Sequence, residues 1–162
     1  FYFDGEFGIA EVKLSAKDPG KIDAPLRSYR TLKILLAEDN VINQKVAILN
    51  MQKIGHTVMV VTDGEQAFNA FVNELPDVIF MDVKMPRVDG VEATIKIRDY
   101  EKKNNRKNKV PIIAITANTE KSDIDFYFRS GMDDYLCKPF NNCDFESLFE
   151  RIYQQLDLNL NF

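Results

Sequence analysis

The chain has 162 residues, of which 45% are hydrophobic and 28% are charged, as in an ordinary globular domain. It has no run of about 18 apolar residues that could span a membrane, and its net charge of −4 argues against nucleic-acid binding, which needs a basic surface. Two cysteines, Cys137 and Cys143, are too few for a disulfide framework, so we expect a cytoplasmic location and no membrane contact by this chain, even if a longer parent protein is anchored in a membrane.

The first 30 residues differ in composition from the rest of the chain, because they carry five acidic and five basic side chains and are therefore neutral. The pair Asp4-Gly5 lies between aromatic residues, which is typical of a β-hairpin turn. The later triplet Asp18-Pro19-Gly20 is typical of a linker. We expect residues 1–30 to be a linker or a hairpin extension from a preceding region, since the chain begins at Phe1 without a Met or a signal peptide.

Short apolar runs then alternate with helix-length segments. Five runs are predicted as β-strands: Lys33–Ala37, Thr57–Val61, Asp77–Met81, Val110–Ile115 and Asp134–Cys137. Continuously apolar strands that alternate with amphipathic helices form a parallel sheet covered on both faces. The pattern predicts a doubly wound α/β domain with five strands and five helices at residues 31–155. We expect the last helix to end near Gln155 and residues 156–162 to form a C-terminal tail.

The predicted helices present apolar residues at a spacing of three or four. In the first helix these are Val46, Leu49 and Ile54, which we expect to face the sheet. Four aromatic residues near the end of the chain are predicted to belong to the core rather than to an exposed interaction stripe: Phe126, Phe128, Phe145 and Phe149. The basic stretch 102–109 is predicted to be a solvated loop, with phosphate or membrane contact as the alternative.

Polar residues follow four of the five predicted strands. Glu38 and Asp39 follow the first strand, Asp82 the third, Thr116 the fourth and Lys138 the fifth. Ligands of open parallel sheets bind at the carboxyl ends of the strands, so we expect these side chains to meet. Three neighbouring carboxylates repel one another, and a hard divalent cation such as Mg²⁺ would offset this repulsion. Taken singly, each residue has a plainer explanation, such as a helix cap at Asp39 or a solvated loop at Lys138, but the combination indicates a functional site.

Four sequence blocks extend this pattern: Leu35-Leu36-Ala37-Glu38-Asp39-Asn40, Met81-Asp82-Val83-Lys84-Met85-Pro86-Arg87-Val88-Asp89-Gly90, Ile115-Thr116-Ala117-Asn118 and Gly131-Met132-Asp133-Asp134-Tyr135-Leu136-Cys137-Lys138-Pro139. In this order they resemble the response-regulator receiver domain, the phosphoacceptor module of two-component phosphorelay signalling. Asn43-Gln44 and the last block resemble in particular receivers fused to hybrid histidine kinases. The resemblance implies a flavodoxin-like fold with strand order 2-1-3-4-5.

The resemblance also implies the ligands of a metal ion. Asp39, Asp82 and the backbone carbonyl of Lys84 would bind Mg²⁺, with Mn²⁺ as an alternative ion. Glu38 stands where many members of the family have Asp, and it would act through water or as a weaker ligand.

Further roles follow from the same resemblance. Asp82 would accept a phosphoryl group from a phosphohistidine, Lys138 would neutralise charge on that group, and Thr116 would hydrogen-bond it. Tyr135 would be the switch aromatic that reorients with Thr116, and the signal would emerge on the face of the fourth helix, fifth strand and fifth helix. The partners would be a histidine kinase core, a histidine phosphotransfer protein or both, and the chain would be a fragment of a hybrid sensor kinase rather than a classical enzyme by itself.

Three other functions are compatible with parts of the pattern. A haloacid-dehalogenase-like phosphatase needs an Asp two residues after its nucleophile, where this chain has Lys84. A flavodoxin-like cofactor binder needs a glycine-rich phosphate loop, which does not follow the first predicted strand. A degenerate receiver that binds partners without phosphorylation would not need the complete set of Asp39, Asp82, Thr116 and Lys138. Lys84 lies beside the path of hydrolytic water in the receiver interpretation, so we expect it to alter the lifetime of the phosphorylated state.

Overall fold

The computed structural model describes residues 30–160, so the predicted hairpin or linker lies outside the described residues, apart from Arg30. The five strands are β1 (Lys33–Ala37), β2 (Thr57–Val61), β3 (Val78–Asp82), β4 (Ile112–Thr116) and β5 (Asp134–Cys137). The five helices are α1 (Val41–Ile54), α2 (Gly64–Glu74), α3 (Gly90–Lys103), α4 (Lys121–Arg129) and α5 (Asn142–Leu160). In this part of the chain, no helix combines the length and the hydrophobicity that a membrane span requires.

All strand pairs are parallel, and their order in the sheet is β2-β1-β3-β4-β5. The predicted flavodoxin-like α/β fold is therefore confirmed. The chain runs from β1 outward to β2 and then returns to β3 on the other side of β1. This reversal opens a crevice at the carboxyl ends of β1 and β3, where ligands of doubly wound folds bind.

Successive residues of a strand face opposite sides of the sheet, and each side has its own hydrophobic core. On one side Leu36 and Phe80 pack with residues of α1 and α5, including Phe145 and Phe149. On the other side residues such as Met81 pack with α2, α3 and α4. Burial on both sides explains why the strands are continuously apolar rather than alternating.

Helix α1 begins immediately after the polar residues that follow β1. The side chain of Asn40 caps the helix by accepting hydrogen bonds from the amides of Ile42 and Asn43 at 2.9 and 3.1 Å. The helix ends at Gly55, whose φ of 106° lies in the left-handed region that favours glycine. The cap fixes the direction in which the chain leaves β1 and so holds Asp39 at the helix entrance.

The prediction for the inner face of α1 is wrong for two of its three residues. Val46 and Leu49 are exposed, Leu49 by 67%, whereas Ile54 is partly buried and packs against the core as predicted. The residues of α1 that are buried against the sheet include Ala47 and Met51. Apolar residues lie on both sides of this helix, so their spacing did not distinguish the face against the sheet from the face in solvent.

The aromatic prediction holds for only half of its residues. Phe145 and Phe149 are buried in the core, as predicted, whereas Phe126 and Phe128 are exposed on α4. Tyr127, between them, is the aromatic residue of α4 that faces the core.

Some predicted ends also differ from the structure. Helix α5 continues past Gln155 to Leu160, into the predicted C-terminal tail. Strands β3 (Val78–Asp82) and β4 (Ile112–Thr116) begin and end later in the chain than predicted. The basic stretch 102–109 is largely exposed, as expected for a solvated loop.

A buried ion network joins α3 to the strands at the end of the sheet opposite the crevice. The guanidinium of Arg98 lies 2.7 Å from carboxylate oxygens of both Glu101 and Asp133. The same two carboxylates accept the amides of Val110 and Ile112 at 2.7 and 2.8 Å. These bonds attach the start of β4 to α3, so that every charged group of the network has a partner.

We predict that Glu101→Ala lowers the free energy of unfolding by about 3–5 kcal/mol, because it leaves Arg98 buried without this partner and the amide of Val110 without its acceptor. Glu92→Ala on the same helix is the matched control, since it removes an exposed ion pair with Lys96. We expect that control to cost at most about 1 kcal/mol. Urea unfolding of both variants measures the difference, and equal losses would contradict the structural role of the network.

Candidate functional site

Three carboxylates meet at the crevice between β1 and β3. Ala37 and Met81 are paired across the two strands, so the residues that follow them, Glu38 and Asp82, lie side by side. Asp39 comes next in the chain, at the entrance of α1. Oxygen atoms of the three carboxylates all lie within 4.8 Å of one another, with Glu38 and Asp82 buried and Asp39 exposed.

Lys138 approaches this cluster from the neighbouring side of the sheet. Its amide donates to the carbonyl oxygen of Thr116 at 2.8 Å, which continues the pairing of β5 with β4. Its Nζ atom lies 2.8 Å from Oδ2 of Asp82 and 2.8 Å from Oε2 of Glu38. One ammonium thus contacts two of the three carboxylates.

The cleft above these groups has a volume of about 230 Å³. The structure brings six of the seven predicted site residues to its walls: Glu38, Asp39, Asp82, Lys84, Thr116 and Lys138. The seventh, Tyr135, does not line the cleft. Its side chain is 37% exposed at the edge of the sheet and packs against the ring of Phe128 at a centroid distance of 6.4 Å.

Burial and crowding change the protonation equilibria of the cluster. Burial, together with the charge of Glu38, raises the pKa of Asp82 to about 6, against the hydrogen bonds from Lys138 and from the amide of Lys84. Burial also acts to raise the pKa of Glu38, but the hydrogen bonds from Lys138 and from the amide of Asn40 outweigh it and hold this pKa below its ordinary value. Burial acts to lower the pKa of Lys138, and its hydrogen bonds to Asp82 and Glu38 raise it instead. The ammonium therefore stays charged.

These oxygen atoms fit a hard divalent cation. Glu38 Oε1 accepts the amide of Asn40 at 3.0 Å, whereas the buried Oε2 atom has the ammonium of Lys138, at 2.8 Å, as its partner. Asp39 points into the same space from the exposed side, and Lys138 alone does not balance the charges. Carboxylate oxygens are the ligands that Mg²⁺ takes in proteins, usually one or two together with water and phosphate.

The loop between β3 and α3 carries Lys84 and is held at both of its ends. The amide of Val83 donates to Ile115 O at 3.0 Å, and the amide of Gly90 donates back to Val83 O at 3.1 Å. A Cβ atom at Gly90 would lie 2.1 Å from the carbonyl oxygen of Asp82, so only glycine allows the close approach of α3 to β3.

A second attachment of this loop was missed by the sequence analysis. The side chain of Arg87, a residue with a φ of 67°, donates through Nε to Oδ2 of the buried Asp63 at 3.1 Å, and its Nη2 atom contacts the same oxygen. Asp63 also caps α2 by accepting the amide of Gln66 at 2.8 Å. Capping residues before a helix can be recognised in a sequence, but nothing in the spacing of Arg87 indicated its partner.

Thr116 has a hydroxyl with three contacts. Its Oγ1 atom donates to Asn118 O at 3.1 Å and accepts the amide of Asn118 at 3.0 Å. The hydroxyl of Tyr127 lies 3.3 Å from the same atom. Tyr127 is a second residue that the sequence analysis missed, because it was counted in no motif and its contact spans two separate elements.

Comparison with known proteins identifies the family. The family model described as the response regulator receiver domain matches residues 34–152, which is most of the chain. The chain belongs to the response regulator receiver family. The resemblance on which the predicted fold and phosphorelay class depended is therefore confirmed.

Relatives and solved structures show which receivers are similar. Hybrid signal transduction histidine kinase I of Dictyostelium discoideum is 40% identical over 114 residues, which are 67% of this chain and 6% of that protein. This receiver thus spans a small part of its relative, and the similarity agrees with the predicted likeness to receivers of hybrid kinases.

Two solved receivers are similar in sequence and in fold. The receiver domain of the sensor histidine kinase PA1611 from Pseudomonas aeruginosa PAO1 is 37% identical with a TM-score of 0.65, covering 75% of this chain and 97% of that one. That structure has a magnesium ion coordinated in its active-site cleft. The receiver domain of Ssk1 from Saccharomyces cerevisiae, solved together with the histidine phosphotransfer protein Ypd1, is a second neighbour. The match is 32% identical with a TM-score of 0.69 and covers 76% of this chain and 88% of that chain.

We predict that Asp82→Asn stabilises the metal-free receiver at pH 7 by about 1–2 kcal/mol. The folded state raises the pKa of this carboxyl from 3.8 to about 6, so the ionised group opposes folding at neutral pH. Loss of the hydrogen bond from Lys138 offsets part of the gain. As the pH falls from 7 towards about 4, the wild-type carboxyl takes up a proton and the advantage of the variant shrinks.

Urea unfolding in the presence of a chelator, at both pH values, measures this effect. Asp99→Asn, at an exposed position of α3, is the control and should change little. If Asp82→Asn does not raise the free energy of unfolding at neutral pH, or if the difference grows on acidification, the destabilising effect of the buried, ionised Asp82 carboxyl is contradicted.

Proposed function

We propose that the receiver accepts a phosphoryl group from a phosphohistidine onto Asp82 in a Mg²⁺-dependent reaction. The observation that supports this most strongly is the position of the Asp82 carboxylate, with the ammonium of Lys138 at 2.8 Å and two further carboxylates within 4.8 Å. The ammonium can neutralise a phosphoryl oxygen, and the carboxylates supply ligands for a metal ion. Few structural roles need this combination in one cleft.

In the transfer, an oxygen of Asp82 forms the new bond to phosphorus as the bond from phosphorus to the histidine nitrogen breaks, and the imidazole leaves. With its pKa at about 6, Asp82 is mostly ionised at neutral pH and can act as the nucleophile. Lys138 moves from pairing with Asp82 to facing a phosphoryl oxygen. In our proposal, Asp39, Asp82 and the Lys84 carbonyl would hold Mg²⁺, with Glu38 as a weaker ligand or one that acts through water, and the ion would supply positive charge that stabilises the transferred group.

The rim of the cleft supports two finer roles. The hydroxyl of Thr116 lies at the end of β4, on the wall opposite α1, where it could donate to a phosphoryl oxygen after a rotation. The side chain of Lys84 is exposed on the same cleft, so our prediction that it changes the lifetime of the phosphorylated state stays open to test.

The partner that we propose is a histidine phosphotransfer protein or a histidine kinase core, within or beside a hybrid sensor kinase. Four apolar residues of α1 are exposed and have no place in the core: Val41, Ile42, Val46 and Leu49. They extend along the helix that begins beside Asp39, so a protein bound to them would also reach the cleft. An exposed apolar surface of this kind marks a protein-binding site. The Ypd1 complex of the similar Ssk1 receiver supports this choice of partner.

We predict that acetyl phosphate with Mg²⁺ adds one phosphoryl group to the receiver and that Asp82→Asn abolishes the addition. Asp99→Asn, which removes an exposed carboxylate outside the cleft, should be phosphorylated like the wild type. Intact-mass spectrometry measures the addition, and omission of Mg²⁺ provides a second control. An unmodified wild-type protein, or an adduct that persists in Asp82→Asn, would contradict the proposed phosphoacceptor.

A further inference from the structure

Tyr127 brings a second hydroxyl to Thr116 from inside the protein. The two oxygen atoms are 3.3 Å apart, and both residues are 5% exposed. Tyr127 lies in α4, and its ring belongs to the hydrophobic core between that helix and the sheet. The contact therefore joins β4, at the edge of the phosphorylation cleft, directly to α4.

The chemistry of a hydroxyl group determines the direction of this bond. A threonine hydroxyl has one proton and two acceptor positions. Of the two acceptors within reach of this proton, Asn118 O at 3.1 Å is nearer than the hydroxyl of Tyr127 at 3.3 Å, so we assign the proton to Asn118 O. One acceptor position of Thr116 takes the amide of Asn118. Tyr127 is then the donor to the second acceptor position. In this arrangement the hydroxyl of Thr116 is fully satisfied and has no proton left for a group in the cleft.

We infer that the hydroxyl of Tyr127 holds Thr116 in its resting orientation and couples the position of α4 to the occupancy of the cleft. This inference rests on the proposed function, in which Thr116 turns to donate to a phosphoryl oxygen on Asp82. The turn withdraws the proton from Asn118 O and moves Oγ1 away from Tyr127. The buried tyrosine hydroxyl then loses its acceptor. The free-energy cost of that unpaired hydroxyl favours a shift of α4.

The predicted switch residue, Tyr135, has a different environment. No hydrogen bond joins it to Thr116 among residues 30–160, and its exposed ring lies against Phe128. Phe126 and Phe128 flank Tyr127 on α4 and are exposed. A movement of Tyr127 would therefore rearrange the exposed aromatic surface formed by Phe126, Phe128 and Tyr135.

The variant that tests the inference is Tyr127→Phe, which removes the hydroxyl and keeps the ring in the core. Beryllofluoride with Mg²⁺ serves as the phosphoryl analogue, and NMR of the backbone amides follows both the cleft and residues 121–129. Because one hydrogen bond of the resting state is lost, we expect the midpoint for beryllofluoride to fall by about three- to tenfold. The ligand-free amides of α4 should also move part of the way towards their positions in the bound state.

The matched control is Tyr100→Phe in α3, where the ring packs against Phe68 and Phe71 outside the cleft. We expect no change of the midpoint in this control. A double-mutant cycle with Thr116→Ala adds a test that general loosening of the core would not satisfy, because Tyr127→Phe should have no further effect once its acceptor is gone.

The possible results separate the inference from the proposed function. If the wild type does not bind beryllofluoride, the phosphoacceptor proposal fails and the inference fails with it. If the wild type binds and Tyr127→Phe has an unchanged or a higher midpoint, the inference alone is contradicted. An effect of equal size in the Thr116→Ala background also contradicts it.

Discussion

Three carboxylates and a single ammonium share one small cleft, and this excess of negative charge is the constraint on which the rest of the receiver depends. Oxygen atoms of Glu38, Asp39 and Asp82 lie within 4.8 Å of one another, and two of these carboxylates are buried. Such a cluster opposes folding unless positive charge compensates it. Lys138 supplies part of that charge, and burial, together with the charge of Glu38, still raises the pKa of Asp82. A divalent cation is the simplest source of the remainder.

The fold holds the carboxylates close together although their charges repel one another. Parallel pairing of β1 with β3 places Glu38 beside Asp82, and pairing of β5 with β4 directs Lys138 to both. The tight approach at Gly90 and the attachment of Arg87 to Asp63 fix the loop that carries Lys84. At the opposite end of the sheet, Arg98, Glu101 and Asp133 form a second buried cluster, in which each carboxylate contacts the guanidinium directly and also accepts a backbone amide. In the cleft the third carboxylate, Asp39, is instead exposed towards the space in which a cation would lie.

Sequence alone predicted the strands and most of the cleft for a clear physical reason. Strands buried on both faces are continuously apolar, and in a parallel sheet the residues that follow them meet at one edge. Apolar spacing did not identify the inner face of helix α1, because the exposed Val46 and Leu49 are as apolar as the buried Ala47 and Met51. Their exposure became meaningful only when the structure placed them beside the cleft.

Side-chain contacts between separate elements were not predictable from spacing. Arg87 reaches Asp63 and Tyr127 reaches Thr116 across separate elements, and in neither case does the local pattern name the partner. Tyr135, which the family resemblance implies to be the switch aromatic, lies at the exposed edge of the sheet outside the cleft, and its role stays a prediction. The sequence therefore indicates the residues that form the cleft more clearly than the contacts that join the cleft to the rest of the receiver.

The central claim is that the carboxylate cluster is built to hold a divalent cation, and thermal unfolding of the receiver in increasing MgCl₂ at constant ionic strength tests it most directly. A cation that binds only the folded state raises the unfolding temperature in a saturable way, and Asp39→Asn should remove most of that rise. The same titration with Asp99→Asn should match the wild type. A wild-type protein whose unfolding temperature does not respond to Mg²⁺, or an undiminished response in Asp39→Asn, would contradict the account.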